Sequence, residues 1–249
     1  MSVRANLLIF KKFQNKSAIE DLEAILIDIP GLADYERIWS LQLHFHNLRT
    51  IGKIPNVLIF VEHQHVYTIG KAGDEQDLKV SKFFLEQAGA KIYQIDRGGK
   101  ITYHGPGQIV GYPIFKLDEF GIDVHTYLRK LEEVIILTLK DYGIDAERKT
   151  GLTGVWVKDG KIASIGIKVS RWVTMHGFAL NVNTDLKFFD LIFPCGLKDV
   201  KMTSMKEILK CDVDMDEVKL NLKEKFERVF GVKFVEHSTE LVEKNGEFF

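Results

Sequence analysis

Cysteine is scarce: the 249-residue chain has two, Cys195 and Cys211. A disulfide framework needs more, so each thiol is expected to be free, in a reducing compartment. Proline is scarce as well, with five residues and no stretch of linker composition. Nothing divides the chain, which therefore reads as a single domain over residues 1–249. Net charge is almost absent. The 34 basic and 35 acidic side chains leave a formal charge of −1, so no global field draws the protein to nucleic acid or to an anionic membrane. No run approaches the ~18 apolar residues of a membrane span. Leu7–Phe10 meets Lys11 and Lys12 before it reaches the length of a signal-peptide core, and no Arg/Ser-rich transit segment is visible. The expectation is a cytoplasmic protein that binds neither nucleic acid nor membrane.

What is present is an ordinary apolar share of 45%, enough for a sizeable core. Residues 32–51 place Tyr35, Ile38, Trp39, Leu43 and Leu48 at helical spacing. Val57–Val61 reads as a buried strand, residues 79–89 as a helix, and Lys91–Asp96 alternates as a strand does. A glycine-rich loop, Arg97–Gly107, leads into a strand over Gln108–Phe115. Asp123 is placed to cap a helix running to about residue 142, with Val124, Leu128, Leu131 and Ile135 on one face. Gly154–Lys158, a turn at Asp159-Gly160, and Lys161–Gly166 form a hairpin signature, Trp172–Asn183 a further strand, and residues 215–230 a last amphipathic helix. This mixture predicts an α+β fold with mixed, largely antiparallel sheets flanked by helices.

Three features carry chemistry. Cys195 lies in Phe193-Pro-Cys-Gly-Leu197, a turn composition that can expose a thiol, whereas Cys211 has no such setting and reads as structural. A nucleophilic thiol needs a neighbouring cation or base, and Lys161, Lys168, His104 and His176 are candidates. By residue type alone Lys161 is a solvated lysine beside a tight turn. The segment Arg97-Gly98-Gly99-Lys100-Ile101-Thr102-Tyr103-His104-Gly105-Pro106-Gly107 is neither a Walker loop nor a dinucleotide fingerprint. Its glycines let backbone approach a ligand, and the polar residues among them point to a binding loop. The pairs His44/His46 and His63/His65 raise a metal site, but no Cys/His spacing supports zinc.

The segment from Arg97 to Pro113 closely resembles the signature of lipoyl(octanoyl) transferases. So do Gly160–Asn183, Phe193–Leu197 followed by Met202-Thr-Ser-Met205, and Glu62-His63 with Val66–Gly70. The motifs follow the family's order across about residues 30–210; Met202 and Thr174-Met175 are mild departures. Residues 212–249 have no functional reading. The resemblance implies the fold of biotin and lipoate protein ligases. It also implies Cys195 as acyl-accepting nucleophile and Lys161 as its partner, either base or nearby charge. The substrate-binding residues it implies are Arg97, Gly98, Gly99, Lys100, Ile101, Thr102, Tyr103, His104, Ser164, Ile165, Gly166, Gly177, Phe178 and Ala179. It implies octanoyl-loaded acyl carrier protein as donor. The implied acceptors are lipoyl domains of 2-oxoacid dehydrogenase E2 subunits and the glycine cleavage H protein. Thioester exchange keeps the acyl bond activated, so no cofactor or ATP is expected. An ATP-dependent ligase of the same fold is the nearest rival, and an acyl-binding module without turnover a second. Ile101, Tyr103, Ile165 and Phe178 are candidates for an acyl slot. Lys158, Lys161, Lys168 and Arg171 form a candidate cationic stripe for an acidic carrier.

Overall fold

Edge pairing between the two ends of the described chain organises the larger sheet. The structure is a computed structural model that describes residues 22–193 and 200–236. Strand β1 (Leu22–Ala33) buries Ala24, Ile25, Ile27 and Ile29, and pairs in parallel both with β2 (Asn56–His63) and with β12 (Val232–Glu236). Between β1 and β2 the chain crosses through α1 (Tyr35–Thr50), capped by the Asp34 carboxylate, which accepts from the amides of Glu36 and Arg37. Helix α1 buries Ile38, Leu41 and Phe45, but also Gln42, His46 and Arg49, while Leu43 is exposed. The expected apolar stripe is therefore displaced. Buried polar groups take part of the inner face because they have work there, Gln42 accepting from the His176 amide at 3.0 Å.

Strand β2 pairs antiparallel with β6 (Gln108–Ile114). Beyond it come β10 (Val173–Asn181), β9 (Gly160–Ser170), β8 (Leu152–Val157) and β7 (Glu147–Lys149), all antiparallel, with β11 (Lys201–Met202) parallel to the start of β9. Helices α3 (Val124–Asp141) and α5 (Met215–Phe230) cover one face, with Tyr127, Leu131, Ile135, Val218, Leu222 and Phe226 in its core; α1 covers the other. Val124, expected on the inner face, is exposed. A smaller sheet in the order β4 (Lys91–Gln94), β3 (Val66–Ile69), β5 (Ile101–His104) carries α2 (Lys82–Gln87) and its own apolar cluster. The helix α4 (Met205–Leu209) follows β11.

Mixed, largely antiparallel sheets flanked by helices match the expected fold class. The differences are local. The Arg97–Gly107 loop contains β5, a four-residue strand held by β3. The β8–β9 turn is centred on Lys158 (φ +52°) and Asp159, one residue earlier than expected, so that Trp156 and not Lys158 faces Lys161 across the hairpin. The segment after residue 212 supplies α5 and β12, which cover the core and the β1 edge. Among the described residues, no helix is long and apolar enough to cross a membrane.

Candidate active site

A cavity of about 430 Å³ lies between the two sheets, a size that suits a small ligand. Its walls are built from the Arg97–Thr102 segment and His104 on one side, and Lys161, Ser164–Ile167 and His176–Ala179 of β9 and β10 on the other. Leu128 of α3, Trp156 of β8 and Val200 also line the cavity, as do Tyr35, Val110 and Tyr112. Gly166 and Gly177 are direct cross-strand partners, so at that point the sheet presents bare backbone. A Cβ on Gly166 would come within 3.0 Å of the Gly98 carbonyl and 3.1 Å of Arg97 Cδ, which explains why the loop can lie this close to β9.

The loop is clasped on both sides. The Gly98 amide donates to the Ile167 carbonyl at 2.8 Å, while the carbonyls of Arg97, Gly99 and Lys100 accept from Lys71, Ala72 and Gly70. Gly99 takes φ +83°, a left-handed conformation open to glycine at little cost. Asp96 anchors the loop's base through His176 Nε2 at 2.8 Å and Lys168 Nζ at 2.5 Å. The His176 hydrogen bond, with Lys168 beside it, holds the Asp96 carboxyl well below the usual range. Burial pushes the His176 imidazole down, opposed by Asp96. His176 itself sits at φ +58°, unusual for a non-glycine residue within a strand.

From Arg97 a string of buried hydrogen bonds runs across the site. The guanidinium donates to the Thr68 carbonyl at 2.6 Å and to Thr68 Oγ1 at 2.9 Å. Thr68 Oγ1 lies 3.5 Å from His104 Nε2, and His104 Nδ1 donates to Gln108 Oε1 at 2.8 Å. Gln108 donates to Asn181 Oδ1, Asn181 to the Thr203 carbonyl, and the Thr203 amide to the Lys161 carbonyl at 3.0 Å. Because Gln108 Nε2 is already a donor, its oxygen fixes the His104 tautomer. Next to it, His63 Nδ1 donates to the Ala33 carbonyl and Nε2 accepts from Tyr112. Burial pushes His104 down to about 3 and His63 down to about 4.

Both pKa values lie below the unfolded value of ~6.5, so the stability these rings contribute is whole above ~6.5 and is lost as pH falls toward the folded values. Urea unfolding is therefore expected to show a drop between pH 7 and pH 5, on the order of 2 kcal/mol per histidine by linkage. His104→Gln should flatten that profile, and a profile as steep as that of the parent protein would contradict this assignment.

Lys161 is 3% exposed, contrary to its reading as a solvated lysine. Its ammonium lies 5.6 Å from the Trp156 ring centroid, and β11 pairs Met202 with it on the other side. Arg97, Gly98, Gly99, Lys100, Ile101, Thr102, His104, Ser164, Ile165, Gly166, Gly177, Phe178 and Ala179 all border the same cavity. Tyr103 does not. Alternation along β5 turns it into the small sheet's cluster, where it stacks on Phe188 at 4.9 Å and its hydroxyl donates to His65 Nδ1 at 2.7 Å. Its place in the expected acyl slot is thereby corrected. The cationic stripe is not continuous either, since Lys161 is buried and Lys168 is bound to Asp96. Cys195 lies outside the described residues; Cys211 is exposed and free. Neither histidine pair belongs to a metal-binding group among the described residues. Sequence reasoning missed Trp156, Leu128, Tyr35 and Asp96. The hairpin signal could have found Trp156, had the turn been placed one residue earlier.

Residues 34–227 match the family described as the lipoyl protein ligase A/B catalytic domain. The chain is 48% identical over 217 residues to an octanoyltransferase of Christiangramia forsetii, covering 80% of this chain and 93% of that one. It is 50% identical over 207 residues to an octanoyltransferase of Caldanaerobacter subterraneus, covering 83% and 90%. Among solved structures, a lipoate protein ligase A bound with ATP aligns with a TM-score of 0.71 at 19% identity, over 87% of this chain and 88% of that one. The lipoic-acid complex of Ta0514 from T. acidophilum aligns at 0.69 and 20% identity, over 87% and 89%. At such identities the structures speak for the fold, while the sequence match speaks for the family. The chain belongs to the lipoyl protein ligase A/B catalytic domain family.

Proposed function

We propose that the protein is an octanoyltransferase of lipoate biosynthesis, moving an octanoyl group from acyl carrier protein to a lysine of a lipoyl domain through a thioester on Cys195. The observation that carries this reading is a cavity floored by Gly166 and Gly177 with the buried Lys161 in its wall, in a chain 48% identical to octanoyltransferases. Support for Cys195 comes from its sequence neighbours: Val200 borders the cavity, and Met202 pairs with Lys161.

In the first step the Cys195 thiolate attacks the donor's thioester carbon. A new C–S bond forms, the old one breaks, and the carrier's sulfur leaves as a thiolate that takes a proton from the Lys161 ammonium or from water. The Lys161 ammonium favours the thiolate. Backbone amides stabilise the oxyanion, typically worth ~3–4 kcal/mol per donor. In the second step the acceptor's neutral amine attacks, an amide forms, the amine's surplus proton passes to neutral Lys161 or to water, and Cys195 is released as thiolate. The chemistry needs a reduced thiol, which suits a reducing compartment such as the cytoplasm. Ile165 and Phe178 offer the acyl chain apolar surface. At ~0.8 kcal/mol per buried methylene, neighbouring chain lengths differ only several-fold.

Transfer from octanoyl-carrier protein to a lipoyl domain is expected to proceed with nucleotide omitted, read as a mass gain on the acceptor. A strict requirement for ATP and free octanoate would replace this reading with the ligase mechanism.

A further inference from the structure

Lys161 can lie buried because the strand beside it has no side chain at one position. Gly154 of β8 takes φ +124°, and a Cβ there would sit 2.6 Å from Lys161 Cε and 3.2 Å from its Nζ. The Gly154 backbone is thus a seat for the end of the lysine. Directly behind that seat is an acid whose role the reaction has not explained. Glu132 on α3 is fully buried, and its Oε1 accepts from the Gly154 amide at 3.1 Å. Its Oε2 accepts from Arg129 Nη1 at 2.7 Å and Arg148 Nε at 3.1 Å; Arg148 also holds Glu133 and the Arg129 carbonyl.

A buried carboxylate is a poor choice for stability alone, because desolvation costs several kcal/mol and apolar replacements often match it. What this one adds is direction. Two arginines orient the group, and its remaining oxygen accepts from the amide of Gly154, the residue whose missing side chain leaves room for the end of Lys161. One turn earlier, α3 contributes Leu128 to the cavity wall, so the same helix shapes the site and fixes the lysine's seat. We propose that Glu132 is a positioning residue for acyl transfer, holding the Gly154 backbone and through it the Lys161 ammonium in the cavity wall. The proposal rests on the role given to Lys161 above.

The test uses the full chain with Cys211→Ser, so that alkylation reports Cys195 alone, and compares Glu132→Ala, Glu132→Gln and Lys161→Ala. Displacement of a catalytic group by about 1 Å can cost ~100-fold, and Glu132→Ala should lower kcat by about that factor with KM for octanoyl-carrier protein little changed. Alkylation at neutral pH should slow about tenfold as the thiol's pH profile moves up by roughly one unit. Glutamine keeps one oxygen for the Gly154 amide and should restore part of both losses. If Glu132→Ala does not fold, Glu132→Met, similar in volume but with no oxygen for the Gly154 amide, decides in its place, and wild-type kcat with a wild-type alkylation profile overturns the proposal. So does a fall in kcat with no change in the alkylation profile, which would make Glu132 a scaffold residue. A failure of the Lys161 assignment reads differently: there Lys161→Ala itself leaves the profile unchanged.

Discussion

Replacing Cys195 with alanine is expected to abolish both the covalent octanoyl adduct and transfer to the lipoyl domain, lowering kcat/KM by about 10⁴-fold or more, the scale of other nucleophile deletions. The size follows from the route. Without the sulfur, the acceptor amine must attack the carrier's thioester directly, with both macromolecules held at the cavity at once, instead of in two successive encounters. The adduct is checked by intact mass before and after hydroxylamine, which removes a thioester and spares an amide. An adduct that survives in Cys195→Ala refutes the nucleophile assignment. Cys211 is exposed and outside the cavity lining, so Cys211→Ser should form the adduct at the parent rate.

Lys161→Ala is expected to cost about 10²–10⁴-fold in transfer, the usual range for loss of an acid–base or charge-stabilising group. Its burial is what makes the effect large. A lysine that is 3% exposed, its ammonium near Trp156, is screened less by water than a surface lysine, so its field would act more strongly on a thiol brought to the cavity. Lys161→Arg separates two roles, since arginine keeps the charge but does not give up its proton. Normal alkylation with slow amide formation would identify Lys161 as a proton acceptor; normal values for both would leave it a source of charge. Unchanged transfer in Lys161→Ala would end the dyad idea.

How much of this was legible depended on how local each signal was. Strand β10 and helices α3 and α5 carry their pattern within a dozen or so residues, with caps at Asp123 and Asp214, and could be read directly. Strands β1 and β12 were legible only in part: Ile25, Ile27 and Ile29, and Val232 and Phe234, alternate as strand residues do, but nothing local shows that the two segments, at opposite ends of the described chain, pair with each other. Strand β5 was hidden because four residues among glycines look like a loop, and with it went the alternation that turns Tyr103 away from the cavity. Lys161 shows the limit most clearly. Residue type predicts a solvated lysine, and only the one-residue placement of the turn, the missing side chain at Gly154 and the late return of β11 put it inside. The family's motifs named that residue; the physics of its burial became visible only in three dimensions.

The pairing of β12 with β1 also has a temporal side. Synthesis makes β1 early and must then continue through α5 before the strand that protects its outer edge exists. During that interval the nascent chain displays a row of unpaired amides and carbonyls backed by Ala24, Ile25 and Ile27, the type of template that neighbouring polypeptides join. Released chains truncated before residue 232 should therefore depend on holding chaperones, whereas released chains that include residues 232–236 should not.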